Sequence, residues 1–252
     1  MAERSRQSSK EMRTGRQPSK RRSGSGQLST FLKKLAEKVG PESLTGAIVL
    51  VSLDRPIDQL IRYAEALDPN HRGQPSDWSH CFLIKEYIDG ATTIFESTIR
   101  DEKTGGILWS EDLRESLEII SQPSGGIYEG VLNSPPDGYD DPRVRPLGVK
   151  LVEGLSTEER TKIVEVAAGF LNQGYHYDLP GLFRELIRFT MGITLPAGKK
   201  LLFCSAFVQA VYRQALGHPG GDFVDKKLRS VDVTPDDIWY SDLGKPILPK
   251  DV

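Results

Sequence analysis

The chain has 252 residues, of which 38% are apolar and 27% charged, the composition of an ordinary globular protein with one hydrophobic core. Two cysteines exclude a disulfide framework, and no apolar run reaches the roughly 20 residues that cross a bilayer. The N-terminus lacks the apolar core of a signal peptide, so we expect a cytoplasmic protein or one exported by a non-classical route.

The net charge of −2 is unevenly distributed along the chain. Residues 1–40 carry eleven Lys and Arg against three acidic residues, whereas the remainder carries 22 basic and 32 acidic residues. Residues 1–27 are almost devoid of apolar side chains, which predicts disorder. We assign residues 1–40 to a basic arm with a short amphipathic helix over residues 29–39, which could dock on the body or on an anionic membrane surface. Nucleic-acid binding is disfavoured, because a solvated tail explains the same charges.

The folded domain is assigned to residues 41–252. Residues 46–52 form a β-branched run typical of a buried strand, and residues 54–67 have helical spacing with Pro56 in the first turn. Two strands, near residues 78–88 and 92–99, are joined by Asp89-Gly90, a strong hairpin signal. Residues 116–122 predict a further strand. Residues 123–147 are rich in Pro, Gly and Asp and predict a loop.

Helical patterns dominate the second half. Residues 156–174 predict a helix that opens with a capping box of Ser156 and Glu159 and ends at Gly174. Residues 179–193 predict a second helix, and a third begins near Cys204 and ends at Gly217. Strands followed by helices favour an α+β fold, in which helices pack on one side of an antiparallel sheet.

Cys204 stands where an apolar run becomes an amphipathic helix. A helix N-terminus lowers the pKa of a thiol, because its unpaired N–H groups favour the thiolate. This position suits a nucleophile, although a small buried side chain explains the same residue.

A nucleophilic thiol needs a base, and His80 is the candidate because it begins an apolar strand that would hold its ring rigidly. Alternation places His80 and Phe82 on one face of that strand and Cys81 on the other, where we interpret it as structural packing. Glu96, on the next strand, lies within diagonal reach of His80 if the hairpin contains a bulge or a longer turn. Ser97 and Thr98 are alternatives for the third group, and Glu96 could instead be exposed at a strand end.

The order of these motifs resembles the circularly permuted branch of the NlpC-type papain-like hydrolases, which includes the YaeF and YiiX proteins and is related to lecithin retinol acyltransferase. The matching pieces span about residues 44–217 and read, in chain order, GAIVLVS, WSHCFLI, TTIFEST, YHYDLPGL and LLFCSAFVQAVY.

This resemblance implies a permuted papain-like fold and a thiol hydrolase that forms a thioester. Cys204 would be the nucleophile, His80 the base and Glu96 the third polar residue. Substrate binding is assigned to Tyr177, which matches a tyrosine of the family, and to two residues near the triad in sequence, Trp78 and Ser205. No cofactor is expected. The substrate would be a peptide, a cell-wall peptide or a lipid acyl group.

The chain departs from the family pattern at Cys81 and Phe82, where small aliphatic residues are common, and in the long insert of residues 123–147. An acyltransferase or lipid acyl hydrolase of the same fold and a non-catalytic binding domain anchored by its basic arm remain alternatives. A ubiquitin-like protease is disfavoured because no Gln precedes Cys204 in its segment. Zinc is disfavoured because the cysteines and histidines lack ligand spacing.

Overall fold

The computed structural model describes residues 26–66, 74–101, 106–107, 127–177, 201–224 and 233–252. Of the disorder predicted for residues 1–27, the part over residues 1–25 lies outside these residues, as do the strand predicted at 116–122 and the helix predicted at 179–193. The prediction is wrong at Gln27, which begins a helix.

The centre of the fold is a six-stranded sheet with the order β4-β3-β2-β1-β5-β8, in which every neighbouring pair is antiparallel. A separate two-stranded parallel pair joins β6 to β7. The strands are β1 (Ile48–Leu53), β2 (His80–Ile88), β3 (Ala91–Asp101), β4 (Ile127–Ser134), β5 (Val144–Leu151), β6 (His176–Tyr177), β7 (Leu201–Leu202) and β8 (Lys245–Ile247).

Five α-helices accompany the sheet in the described part of the chain, so the protein is α+β as predicted. The helices are α1 (Gln27–Val39), α2 (Pro56–Glu65), α3 (Thr157–Asn172), α4 (Cys204–Leu216) and α5 (Pro235–Tyr240). Within the described residues, three short 3₁₀ helices occupy Pro41–Leu44, Asp137–Asp140 and Pro249–Asp251. The predicted capping box of Ser156 and Glu159 opens α3, and Gly217 ends α4 in a left-handed conformation, as the sequence indicates.

The two faces of the sheet carry separate hydrophobic clusters. One face packs against α3, α4 and α5 and contains Leu50, Cys81 and Phe95 of the central strands. The other packs against α1 and contains Val49 and Phe82. The expectation that all helices lie on one side of the sheet is therefore wrong, because α1 covers the second face.

Helix α1 is part of the folded body, although the sequence placed the domain boundary near residue 40. Its apolar residues are buried against the sheet, while Lys33 and Lys34 face outward. Ser29 anchors its first turn by donating hydrogen bonds from its backbone N–H and its hydroxyl to Asp140. The described domain therefore begins at α1. No helix in the described residues is long and apolar enough to cross a membrane.

The β2–β3 hairpin turns at Asp89 and Gly90, as predicted, and both residues have positive φ angles of 51° and 83°. That combination is the one a two-residue type I′ turn requires. Next to the turn, Ile88 pairs with Ala91, but the register shifts by one residue between Ile84 and Glu86. This β-bulge decides which face of β3 meets which face of β2.

The prediction of a loop over residues 123–147 is wrong, because β4 and the start of β5 lie in this segment. Its glycines and prolines lie at close contacts and strand ends rather than in a continuous loop, so its composition alone predicts the wrong structure. A Cβ at Gly130 would lie 2.4 Å from the carbonyl oxygen of Tyr175, so only glycine permits the chain before β6 to approach β4.

We predict that Leu32→Ala lowers the free energy of unfolding by about 2–5 kcal/mol, because it leaves a cavity between α1 and the sheet. Lys34→Ala, on the exposed side of the same helix, should change it by less than about 0.5 kcal/mol. Urea denaturation measures both. Equal stability of the two variants would show that α1 is an arm attached loosely to the domain.

Candidate active site

Cys204 is the first residue of α4, and the structure confirms the helix start predicted there. Phe203 is the N-cap residue, and the first helical hydrogen bond runs from the Phe207 N–H to the Phe203 carbonyl. The N–H groups of the first turn, including that of Cys204, therefore precede the hydrogen-bond ladder of the helix. Cys204 is 4% exposed.

Short strands and one side-chain bond hold the segment before Cys204 in place. β6 pairs with β7 so that Tyr177 lies beside Leu202. Ser97 of β3 donates a 2.7 Å hydrogen bond from its hydroxyl to the Leu202 carbonyl. The nucleophile's position is thereby tied to the strand that carries Glu96, and Ser97 acts as an anchor for the main chain.

His80 begins β2 and is 4% exposed. Its ring stacks on Tyr139 at a centroid distance of 5.7 Å, and its Nε2 lies 3.4 Å from Oε2 of Glu96. Ring stacking and the carboxylate together fix the plane of the imidazole. The structure thus brings His80 and Glu96 together as predicted.

Glu96 is completely buried and is held by four side chains. Ser134 donates to Oε1 at 3.0 Å, Arg100 donates to the same oxygen from Nε at 3.2 Å and also from Nη2, and Tyr139 donates to Oε2. Burial disfavours the charge of Glu96, but the hydrogen bond to His80, the Arg100 charge and the Tyr139 hydroxyl outweigh it and lower its pKa to about 2. Glu96 is therefore ionised and oriented.

The β-bulge places Glu96 on the same face as His80. Beyond the bulge Leu83 pairs with Phe95, and continuing this register sets Glu96 opposite Phe82, two residues from His80. Without the bulge the uninterrupted hairpin would set Glu96 opposite Leu83, on the face that packs against α4. The sequence permits a bulge in this hairpin but does not locate it.

Cys81 contacts Cys204, although the sequence analysis interpreted it as structural packing alone. It lies on the α4 side of β2, as alternation predicts. Hydrogen bonding from the Cys81 thiol lowers the pKa of Cys204 well below its ordinary value; burial opposes this, and the His80 charge and the Cys81 N–H add to it. Burial raises the pKa of Cys81 itself, which keeps that thiol protonated as a donor.

The Cys204 thiolate favours a positive charge on the His80 imidazole, and the His80 imidazolium favours a negative charge on the Cys204 sulfur. Burial disfavours the imidazolium, but the Cys204 thiolate and then Glu96 outweigh it and raise the pKa of His80 to about 9. The lowered pKa of Cys204 and the raised pKa of His80 both favour a thiolate–imidazolium pair over two neutral groups.

Tyr177 reaches the site as predicted. It is 9% exposed and packs in the same cluster as Cys204. Burial raises the pKa of its hydroxyl, with the Cys204 and Asp58 charges adding to the effect and Arg55 opposing it. Arg55 and Asp58, which form a salt bridge at the start of α2, therefore lie within electrostatic range of Tyr177. The sequence analysis did not identify either residue.

Trp78 and Ser205 make structural contacts that do not support the substrate-binding roles assigned to them. The Trp78 ring packs on Trp239 at a centroid distance of 4.5 Å in the hydrophobic cluster. Ser205 is completely buried and donates a 2.6 Å hydrogen bond to the Val233 carbonyl.

Lys150 secures the end of α5 beside Trp239 by donating hydrogen bonds to the carbonyls of Trp239 and Ser241.

Arg100 and Tyr139, two of the partners of Glu96, were not predicted from the sequence. Alternation along β3 places Glu96 and Arg100 on one face, so Arg100 carried a usable signal. No sequence pattern pointed to Tyr139, because it lies in a 3₁₀ turn between β4 and β5.

No cluster of three metal-ligating side chains occurs among the described residues. The chain matches no protein-family model, and no curated protein matches it in sequence.

We predict that iodoacetamide alkylates Cys204 well below pH 8 in the wild type, because its pKa is lowered. His80→Ala removes the imidazolium and should slow alkylation near neutral pH by about tenfold or more. His218→Ala, which changes an exposed histidine, is the matched control. Mass spectrometry of each cysteine across pH gives the rates, and identical profiles for the two histidine variants would contradict the pairing.

We predict that the free energy of unfolding falls as the pH drops from about 4.5 to about 2. In this range Glu96 is protonated in the unfolded chain but remains ionised in the folded protein, so acid favours the unfolded state. The stabilisation by this carboxylate is complete above that window. Glu96→Gln should remove that share of the acid sensitivity and cost about 3–5 kcal/mol at neutral pH, since Arg100 loses its carboxylate partner.

Urea denaturation at several pH values measures this effect. Glu86→Gln is the control, because its side chain is 43% exposed on the neighbouring strand and should leave the pH dependence unchanged. An acid sensitivity of Glu96→Gln equal to that of the wild type would refute the buried ionised state.

Proposed function

We propose that the protein is a cysteine hydrolase of the permuted NlpC type, which cleaves an amide or peptide bond through a thioester on Cys204. The observation that carries this proposal is the convergence of three groups: a thiol at a helix N-terminus, an imidazole that favours its thiolate, and a buried ionised carboxylate that holds the imidazole. The order His80, Glu96, Cys204 along the chain and the helix packed on an antiparallel sheet agree with the family resemblance.

In the first half-reaction the Cys204 thiolate attacks the substrate carbonyl and forms a tetrahedral intermediate. The N–H of Cys204 precedes the helical hydrogen-bond ladder and is the donor we assign to the oxyanion. His80 then gives its proton to the leaving amine, and the carbon–nitrogen bond breaks to leave an acyl thioester.

In the second half-reaction His80, now neutral, takes a proton from water as the water attacks the thioester. Collapse of the second intermediate releases the acid and restores the thiolate–imidazolium pair. Glu96 keeps the ring oriented throughout, because its hydrogen bond to Nε2 leaves the other ring nitrogen for proton transfer.

Access to the sulfur requires movement of the residues that cover it, since Cys204 and His80 are each 4% exposed. Tyr177 packs in the same cluster as Cys204, and the Arg55–Asp58 pair lies within electrostatic range of Tyr177, so we assign these three residues to the rim of the site. A substrate that enters beside α2 would meet these side chains before it reaches Cys204.

We predict that Cys204→Ala abolishes the acyl-enzyme and lowers turnover by at least about a thousandfold, because no other group replaces the nucleophile. Incubation with peptide anilides and with acyl nitrophenyl esters, followed by acid quenching and intact mass measurement, detects the thioester on the wild type. His218→Ala should retain full turnover.

The substrate panel also separates the related activities. Faster turnover of long-chain esters than of peptide anilides would indicate a lipid acyl hydrolase, and acyl transfer to an added amine would indicate a transferase. Undiminished turnover by Cys204→Ala would refute the mechanism. Absence of any acyl-enzyme across the panel, together with an inert Cys204 thiol, would favour a binding domain.

A further inference from the structure

The two cysteines of the chain, which are far apart in sequence, meet at the site. Cys81 lies on β2, Cys204 begins α4, and both side chains belong to the hydrophobic cluster between that strand and that helix. Both are free thiols. Helix α4 packs against β2, and the Cys81 thiol and backbone N–H lie close enough to the Cys204 sulfur to lower its pKa, so the two sulfur atoms are neighbours.

We propose that Cys81 is the resolving cysteine of a reversible redox switch, which joins it to Cys204 in a disulfide when a hydroperoxide enters the site. As a means of regulation this inference rests on the proposed function, because the disulfide removes the nucleophile of the hydrolase. Its chemistry needs only the two thiols and the oxidant.

The first step oxidises Cys204. Its thiolate attacks one oxygen of the hydroperoxide, the oxygen–oxygen bond breaks, and a sulfenic acid forms on Cys204. The leaving hydroxide or alkoxide takes the proton of the His80 imidazolium and departs as water or alcohol.

The second step resolves the sulfenic acid. The Cys81 sulfur attacks the Cys204 sulfur, a sulfur–sulfur bond replaces the sulfur–oxygen bond, and the thiol proton leaves with the hydroxide as water. Together the two sulfurs lose two electrons, which the hydroperoxide accepts. A small dithiol reverses the change by thiol–disulfide exchange.

The placement of the two residues sets the order of these steps. Cys204 is 4% exposed and Cys81 is completely buried, so the oxidant reaches Cys204 first. Cys81 stays protonated until the sulfenic acid forms, because burial raises its pKa. Disulfide closure then requires the neighbouring sulfurs to approach to about 2.05 Å.

The test uses the full chain and hydrogen peroxide, without any substrate. Reduced protein is treated with peroxide, its remaining thiols are blocked with N-ethylmaleimide, and it is digested without reductant for mass spectrometry. We expect a linked pair of peptides containing Cys81 and Cys204, an intact monomer mass lower by two hydrogen atoms, and full recovery of both thiols with dithiothreitol.

Cys81→Ser is the matched variant, since its hydroxyl still donates a hydrogen bond but cannot form a disulfide. In this variant dimedone should trap the sulfenic acid of Cys204, and irreversible oxidation of Cys204 should rise about tenfold over the wild type. If Cys81→Ser fails to fold, the linked peptides of the wild type decide the question alone.

Two results would overturn the inference: sulfinic acid on wild-type Cys204 with no linked peptides, or a disulfide that joins two chains instead of closing within one. The experiments distinguish failure of the redox switch from failure of the proposed hydrolase function. Linked peptides without turnover would leave the switch chemistry standing and refute the hydrolase, whereas turnover without linked peptides would refute only the switch.

Discussion

The ionised carboxylate of Glu96, shut away from solvent, is the constraint around which the site is organised. Burying such a charge costs several kcal/mol unless hydrogen bonds and a nearby cation offset it. Arg100 supplies the cation, while Tyr139, Ser134 and His80 supply further contacts. These partners come from β2, β3, β4 and the turn before β5, so satisfying one charge fixes four parts of the chain together. The orientation of the catalytic imidazole is a result of that assembly.

The site joins the two hydrophobic layers of the sheet at the end of β2. His80 belongs to the face that packs against α1, where its ring stacks on Tyr139, whereas Cys204 begins α4, the helix that packs against the other face. The two groups meet because each stands at the end of its element. Cys81, one residue beyond His80, supports the thiolate from the helix side. Consecutive residues of one strand therefore stabilise the nucleophile from two directions.

Features encoded locally could be predicted from the sequence. The start of α4 at Cys204, the alternation of His80 and Cys81, the Asp89-Gly90 turn and the capping box of α3 depend on neighbouring residues only, and the structure has them all. Contacts between distant segments could not be predicted in this way. Tyr139 meets Glu96 from a segment whose glycines and prolines resembled a loop, and Cys81 meets Cys204 because a helix crosses its strand. The packing of α1 on the second face likewise depends on tertiary contacts that a helical pattern does not specify.

The bulge between Ile84 and Glu86 makes the assignment of faces depend on a count of residues. A side chain on a strand alternates with every residue, so one residue more or fewer that no bulge absorbs reverses the face on which everything upstream lies. Removing the extra residue of the bulge would keep Leu83 opposite Phe95, whereas removing one residue between the bulge and His80 would turn the imidazole toward the helix layer and away from Glu96. The chemistry of this protein is thus sensitive to insertions and deletions in a stretch of strand that contains none of its reactive groups.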